Sequence, residues 1–338
     1  MSWEADYLQP VLGWLLEPQT PGVRYLTLRD LLDRPAGDPE LQQAHQAAHQ
    51  QGAISNILAH MNPAGFWERP GPGYGPKYRS SVWSIILLAQ LGASVHLDER
   101  IARACEYMLD HALAPGGQFS YSGAPSGTID CLQGNLCWAL TELGCTDSRL
   151  EKAYEWMART VTGEGIAPAG EKKAVLRYSA YKCAPNFACG ANNRLPCAWG
   201  AAKVMLALAS LPSERRTPII DTAIQAGLDF LLGVDPATAA YPTSEGQAPN
   251  RSWWKFGFPV FYITDVLQLA DVLTRLGCGR DPRLANLLQI IRQKQDAKGR
   301  WSLEYDYAGK TWGNYGTKDQ PNKWVTLRAI RVLKAAAG

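Results

Sequence analysis

One phrase occurs three times in this chain, and it constrains the fold more than any other feature. An apolar helix ends in Leu-Gly, at Leu91-Gly92, Leu143-Gly144 and Leu276-Gly277. A few polar residues follow, then an Asp, and a second helix opens near Arg or Leu: Asp98-Glu99-Arg100, Asp147-Ser148-Arg149-Leu150 and Asp281-Pro282-Arg283-Leu284. Glycine just past a helix end takes the left-handed cap conformation, and Asp accepts the free amides that begin the next helix. Each phrase therefore predicts a helix, a tight turn and a second helix packed back on the first. The second helix then leads to a glycine followed by an aromatic, at Gly65-Phe66-Trp67, Gly117-Gln118-Phe119 and Gly299-Arg300-Trp301. Repetition of this kind marks stacked helical units.

A further echo joins the two ends. Residues 25–29 read Tyr-Leu-Thr-Leu-Arg and residues 324–328 read Trp-Val-Thr-Leu-Arg. First and last units with compatible faces are what a ring needs, whereas an open solenoid needs polar caps. Here both terminal segments are apolar (Trp14, Leu15, Leu16; Val325, Ile330, Val332). Helical periodicity gives six inner segments, about 22–33, 80–91, 131–143, 197–211, 260–276 and 322–336. Six outer segments alternate with them, about 4–16, 40–60, 98–111, 148–161, 214–232 and 282–295. No segment alternates convincingly as a strand. The expected fold is all-α, an α/α toroid (an α6/α6 barrel) in one domain over 1–338.

Composition removes some function classes. A net charge of +3 without a block of like charges gives no nucleic-acid footprint. There is no run of about 18 apolar residues, as a membrane span would need. Eight cysteines without close pairing read as reduced thiols, so a cytoplasmic protein is expected.

Gln295-Asp-Ala-Lys-Gly299-Arg-Trp301 fits a Gln-x-x-x-Gly-x-Trp repeat, and Met61-Asn-Pro-Ala-Gly65-Phe-Trp67 is a degenerate copy without the Gln. With the paired helices, the chain resembles the prenyltransferase/squalene-oxidase repeat family of terpenoid cyclases and protein prenyltransferases. The resemblance implies a central cavity, surrounded by the loops entering the inner helices, for an apolar, isoprenoid-like molecule. The chain also departs from that family. It has neither an Asp-x-Asp-Asp acid motif nor an Asp-Asp-x-x-Asp, and its five histidines all fall on outer helices or turns.

Cysteines gather instead at the inner-helix entrances. Cys131 opens one helix, Cys197 the next, and Cys189 lies just before it. A helix N-terminus favours the thiolate, so Cys131, Cys189 and Cys197 are the expected metal or reactive-thiol residues, with zinc as the expected ion. Asp265 is the first candidate for the acid or a further ligand, and Asp130 the second. Aromatic and basic residues at the same entrances are expected to line the substrate site: Tyr78, Arg79, Trp199, Trp254, Tyr262, Trp312, Lys323 and Trp324. Two other functions compete with a terpenoid-cyclase-like or prenyltransferase-like enzyme. One is a non-catalytic barrel that holds a hydrophobic molecule. The other is a glycosidase using Glu304 and Asp306, since paired carboxylates are that chemistry's requirement.

Overall fold

The computed structural model describes residues 3–178, 180–244 and 247–338. The repeated turns form as the local chemistry dictates. Gly92, Gly144 and Gly277 all have positive φ (79°, 89° and 83°). The amide after each one reaches back to close its helix: Ala93 to Leu88, Cys145 to Leu140, and Cys278 to Leu273. Asp98, Asp147 and Asp281 each accept the amide two residues on and bind that residue's guanidinium, Arg100, Arg149 or Arg283. The glycine–aromatic turns repeat as closely. Asn62, Ala114 and Asp296 donate to the carbonyls of Phe66, Gln118 and Arg300. The Trp67 and Trp301 indoles then donate to Ile57 and Ile291, ten residues upstream in both cases.

Thirteen α-helices result among the described residues. Six form the inner layer: α2 (Pro21–Asp30), α5 (Ser81–Gln90), α7 (Asp130–Glu142), α9 (Ala198–Ala209), α11 (Val266–Arg275) and α13 (Lys323–Ala337). The outer layer holds α1 (Leu12–Leu15), α3 (Pro39–Gln50), α4 (Ala53–Ala59), α6 (Glu99–Ala112), α8 (Arg149–Thr162), α10 (Pro218–Leu231) and α12 (Ala285–Gln293). Each inner helix packs on its neighbours in the order α5, α7, α9, α11, α13, α2. The ring closes where Tyr25 and Leu26 of α2 meet Gly92 at the end of α5. The chain is an α/α toroid, and one apolar core runs from Leu8 to Leu333.

The sequence echo lies at the junction of first and last units. Arg331 and Lys334 of α13 bind Asp30 of α2, while Arg29 reaches Glu142 of α7 at 3.1 Å. Two short strand pairs, absent from the sequence reading, lie in the segment between α8 and α9. β1 (Ala167–Pro168) runs parallel to β2 (Arg177–Tyr178), and β3 (Ala188–Cys189) antiparallel to β4 (Leu195–Pro196). The fifth inner helix also starts later than its periodicity suggests, because Asp265 caps it and residues 258–262 before it run through bends. No helix among the described residues is long and apolar enough to cross a membrane.

The α7–α9 contact is the tightest in the ring, and Gly134 makes it possible. A Cβ at that position would lie 2.3 Å from the Lys203 carbonyl carbon, with backbone on the far side that has no rotamer to yield. Gly134→Ala is expected to cost about 2–3 kcal/mol, the range of core overpacking. An unchanged urea midpoint would contradict this packing.

Candidate active site

The turns from inner to outer helices are short, and the segments that enter the inner helices are long, so chemistry-bearing residues collect at the entrances. Asp130 is the first residue of α7. Before it, Ile129 forms a parallel bridge with Lys182, and the Asp130 amide donates to the Lys182 carbonyl at 3.4 Å. That bridge brings Cys183, 53 residues distant in the chain, against the acid, and its thiol donates to Asp130 Oδ1 at 2.7 Å. The other carboxyl oxygen, Oδ2, is buried without a partner. Gly200 of α9 closes the far side, where a Cβ would lie 3.1 Å from Asp130 Cβ. Burial raises the Asp130 pKa to about 8 and outweighs the Cys183 hydrogen bond, which acts to lower it. Burial therefore favours the neutral carboxylic acid over the carboxylate.

The other sulfurs lie around this acid. Cys189 ends β3, and Cys197 follows β4 and precedes α9. The Cys197 thiol and the Ala191 and Asn192 amides lie beside the Cys189 sulfur. These donors pull the Cys189 pKa down to about 6. Cys131 is half-buried, and desolvation raises its pKa to about 12. Its main favourable neighbour is Lys203, a fully buried lysine on α9 whose ammonium bonds the Gln268 side chain. Burial lowers the Lys203 pKa to about 7.

The three thiols expected to hold zinc are thus neighbours, yet they do not form a metal cage. Among the described residues no group of three or more His, Cys, Asp or Glu is arranged to hold a metal ion. Cys189 and Cys197 face each other, Asp130 is taken by Cys183, and Cys131 stands beside Lys203, so the donors do not converge on one tetrahedral point.

An aromatic layer lies near Cys131, the residue after the acid. Trp83 is buried among Tyr74, Tyr78, Phe261 and Tyr262, with ring centroids 5.0–5.5 Å away, and Tyr307 packs on Tyr78 at 4.5 Å. Tyr74 and Tyr262 lie within electrostatic reach of Cys131, and Lys77 stands 5.9 Å above both rings. A pocket of about 430 Å³ opens at the start of α9, lined by Cys197, Trp199, Tyr241, Trp253, Pro242 and Pro249 among others.

The remaining predicted residues fall elsewhere. The Trp254 indole bonds the Ala237 carbonyl. Arg79 stacks over Trp312, whose indole bonds the Arg79 carbonyl and Ser84. Lys323 pairs with Glu17 on the outer layer, at 2.7 Å. Trp324 stacks on Phe258 and lines the central hole. Asp265 is fully engaged: it accepts from Gln268 N at 2.6 Å and Gly257 N at 3.1 Å, and pairs with Arg328 at 3.0 Å. Glu304 is held by Lys294 and by the Phe256 amide, while Asp306 turns to the Ala308 amide.

The hole itself differs from the expected apolar cavity. All six inner helices reach it, but Arg29, Glu142, Asp271, Arg275, Arg328 and Arg331 line it. Its space is about 70 Å³, well under the roughly 300–1,000 Å³ of small-molecule sites. Ion pairs fill the axis, and the apolar, aromatic volume lies toward the entrances.

The fold and the entrance cluster define a helical toroid with a buried acid. No family model matches the chain, and no curated protein matches it. Among solved structures, it is similar to a type II terpene cyclase from Scytonema, with 13% identity over 87% of this chain and 96% of that one, at a TM-score of 0.32. It is also similar to a glycosyl hydrolase family 88 protein from Bacteroides vulgatus, with 12% identity over 95% and 90%, at a TM-score of 0.45. Likenesses this remote leave function to be read from the site's own residues.

Proposed function

We propose that the protein is a proton-donating enzyme of the terpenoid-cyclase type, acting on an apolar, isoprenoid-like substrate at the helix entrances. The observation that carries this reading is Asp130: a buried acid whose burial favours its neutral form, steadied by the Cys183 thiol and with its second oxygen unpartnered. A carboxyl kept protonated by its surroundings is a proton donor, as in other sites that tune acids by burial. The π electrons of a substrate double bond would take the Asp130 proton and form a C–H bond, leaving a cation on the more substituted carbon. Faces of Tyr74, Trp83 and Tyr262 would stabilise that cation by cation–π attraction. Water takes a proton from a neighbouring carbon to give an isomeric alkene, and Asp130 recovers its proton from solvent.

Incubation with a panel of polyprenyl alcohols and hydrocarbons in deuterated water tests the reading. The expected product is an isomer of its substrate carrying deuterium at one new C–H position. Recovery of every panel member, and of any co-purified lipid, unlabelled and unchanged would leave a binding barrel as the better description.

A further inference from the structure

We infer that the face around the α7 entrance docks the protein on a membrane surface rich in anionic phospholipid. The segment between α8 and α9 supplies the charge. Residues 164–194 hold five bases, Lys172, Lys173, Arg177, Lys182 and Arg194, against two acids, Glu164 and Glu171. Their balance of +3 equals the net charge of the whole chain, so the rest of the molecule taken together is neutral. All five bases are exposed. A surplus this local gives the field one direction, and it attracts a surface of opposite sign.

Apolar side chains stand among these bases. Val175 is 98% exposed and Tyr181 62%, the highest values among large apolar side chains of the described residues. Lys172, Lys173 and Arg177 bracket Val175, and Lys182 follows Tyr181. The two belong to one surface. Val175 and Arg177 wall a hollow with Pro125 of the loop entering α7, Tyr181 and Arg194 wall a second, and Ala169 borders both. Pairing of Ala167 with Arg177, and of Ile129 with Lys182, fastens this surface to the entrance.

A bilayer surface meets both kinds of group at once. Anionic headgroups attract exposed Lys and Arg, about fivefold in partition for each base near the surface. Just below them, acyl chains take apolar side chains out of water, and tyrosine favours that boundary. Lysine stems can lie along the apolar layer with the ammonium among the headgroups. An acidic protein partner would answer the charge alone. Val175, almost wholly in water between three bases, gains most where charge and hydrocarbon lie at two depths. An isoprenoid-like substrate dissolves in such a membrane, so docking would set the α7 entrance against its source. That consequence rests on the proposed function. The docking itself does not.

Sedimentation with extruded vesicles tests the surface, using pure phosphatidylcholine and a mixture of about three parts phosphatidylcholine to one part phosphatidylglycerol. The expected result is binding to the mixed vesicles only. It should fall at least about tenfold between about 0.1 M and about 1 M salt, as the screening length shrinks from ~10 Å to ~3 Å. Lys172→Gln/Lys173→Gln should weaken binding about 25-fold, two bases at about fivefold each. Val175→Ser should weaken it several-fold without changing the salt dependence, and circular dichroism of both variants should match the wild type. Equal binding to both vesicles, no binding to either, or variants that bind like the wild type would overturn the inference. So would a protein that ignores vesicles yet binds polyglutamate, which identifies an acidic protein partner instead. The vesicles contain no isoprenoid and binding is read without turnover. Docking by an inactive protein, or turnover by one that never docks, therefore tells this inference from the enzymatic one.

Discussion

Replacing Asp130 by Asn is expected to cut turnover of any deuterium-incorporating substrate by at least about 10³-fold, within the range general-acid catalysis supplies. Asparagine keeps the shape and an oxygen for the Cys183 thiol, but it has no proton acidic enough to give to an alkene. Wild-type turnover should also fall as pH rises past about 8, where the Asp130 carboxyl loses its proton. The same substitution carries a stability signature that a merely structural residue would lack. In the unfolded chain an aspartate releases its proton near pH 4, whereas the folded protein retains it to about 8. Between those values the folded state binds more protons than the unfolded one, so wild-type stability declines as pH rises. Asp130→Asn removes that decline. The variant should match the wild type near pH 4 and exceed it by ~3–5 kcal/mol at pH 8.5. Urea unfolding at both pH values decides the matter: a variant that loses stability at high pH would rule out a neutral buried acid.

The parts of this molecule legible in its sequence are those whose chemistry is local. The Leu-Gly ends and Asp starts need only a left-handed glycine and an amide-accepting carboxylate a few residues on, so the inner–outer alternation could be read directly, although the expected outer segment 40–60 divides at Gly52 into α3 and α4. The Thr-Leu-Arg echo marked the closing seam for the same reason, since both copies are single helix faces. Cys183 was harder. It earns its place through a bridge between Ile129 and Lys182, a contact between segments more than 50 residues apart that no spacing announces. The pairing of Cys189 with Cys197 rests on strands only two residues long, too short for alternation to show. Lys203 did leave a signal: it is the one charged residue in the apolar run Ala198–Ala209, on a helix buried all round. The hole's charges were half visible. Arg29 and Arg328 stand in the echoed motif and Asp30 pairs with Arg29 from the next position, but their more distant partners, Glu142 and Asp265, belong to other elements.

Removing Arg328 should produce the largest loss of stability from one side chain in the ring. Its guanidinium is 13% exposed and faces an Asp265 carboxylate that is 4% exposed. Two nitrogens meet the two carboxylate oxygens at 3.0 and 3.3 Å, and Nη1 also donates to the Gly257 carbonyl at 2.5 Å. Asp265 in turn accepts the Gln268 and Gly257 amides, so one ion pair ties α13, the start of α11 and the irregular segment before it. Arg328→Met keeps much of the volume and leaves a buried carboxylate without its counter-charge, at an expected cost of ~3–5 kcal/mol. Asp265→Asn should cost less, because the amide oxygen still accepts at the helix start. The double variant should cost less than the sum of the two, since the stranded charge is then gone. Strict additivity, or a loss under about 1 kcal/mol for Arg328→Met, would mean the pair is too well solvated to hold the ring. The same variants separate the two acids named from the sequence. With its oxygens committed to two amides and a guanidinium, Asp265 serves as a structural tie at the start of α11, so Asp265→Asn should retain turnover in the folded fraction while Asp130→Asn loses it.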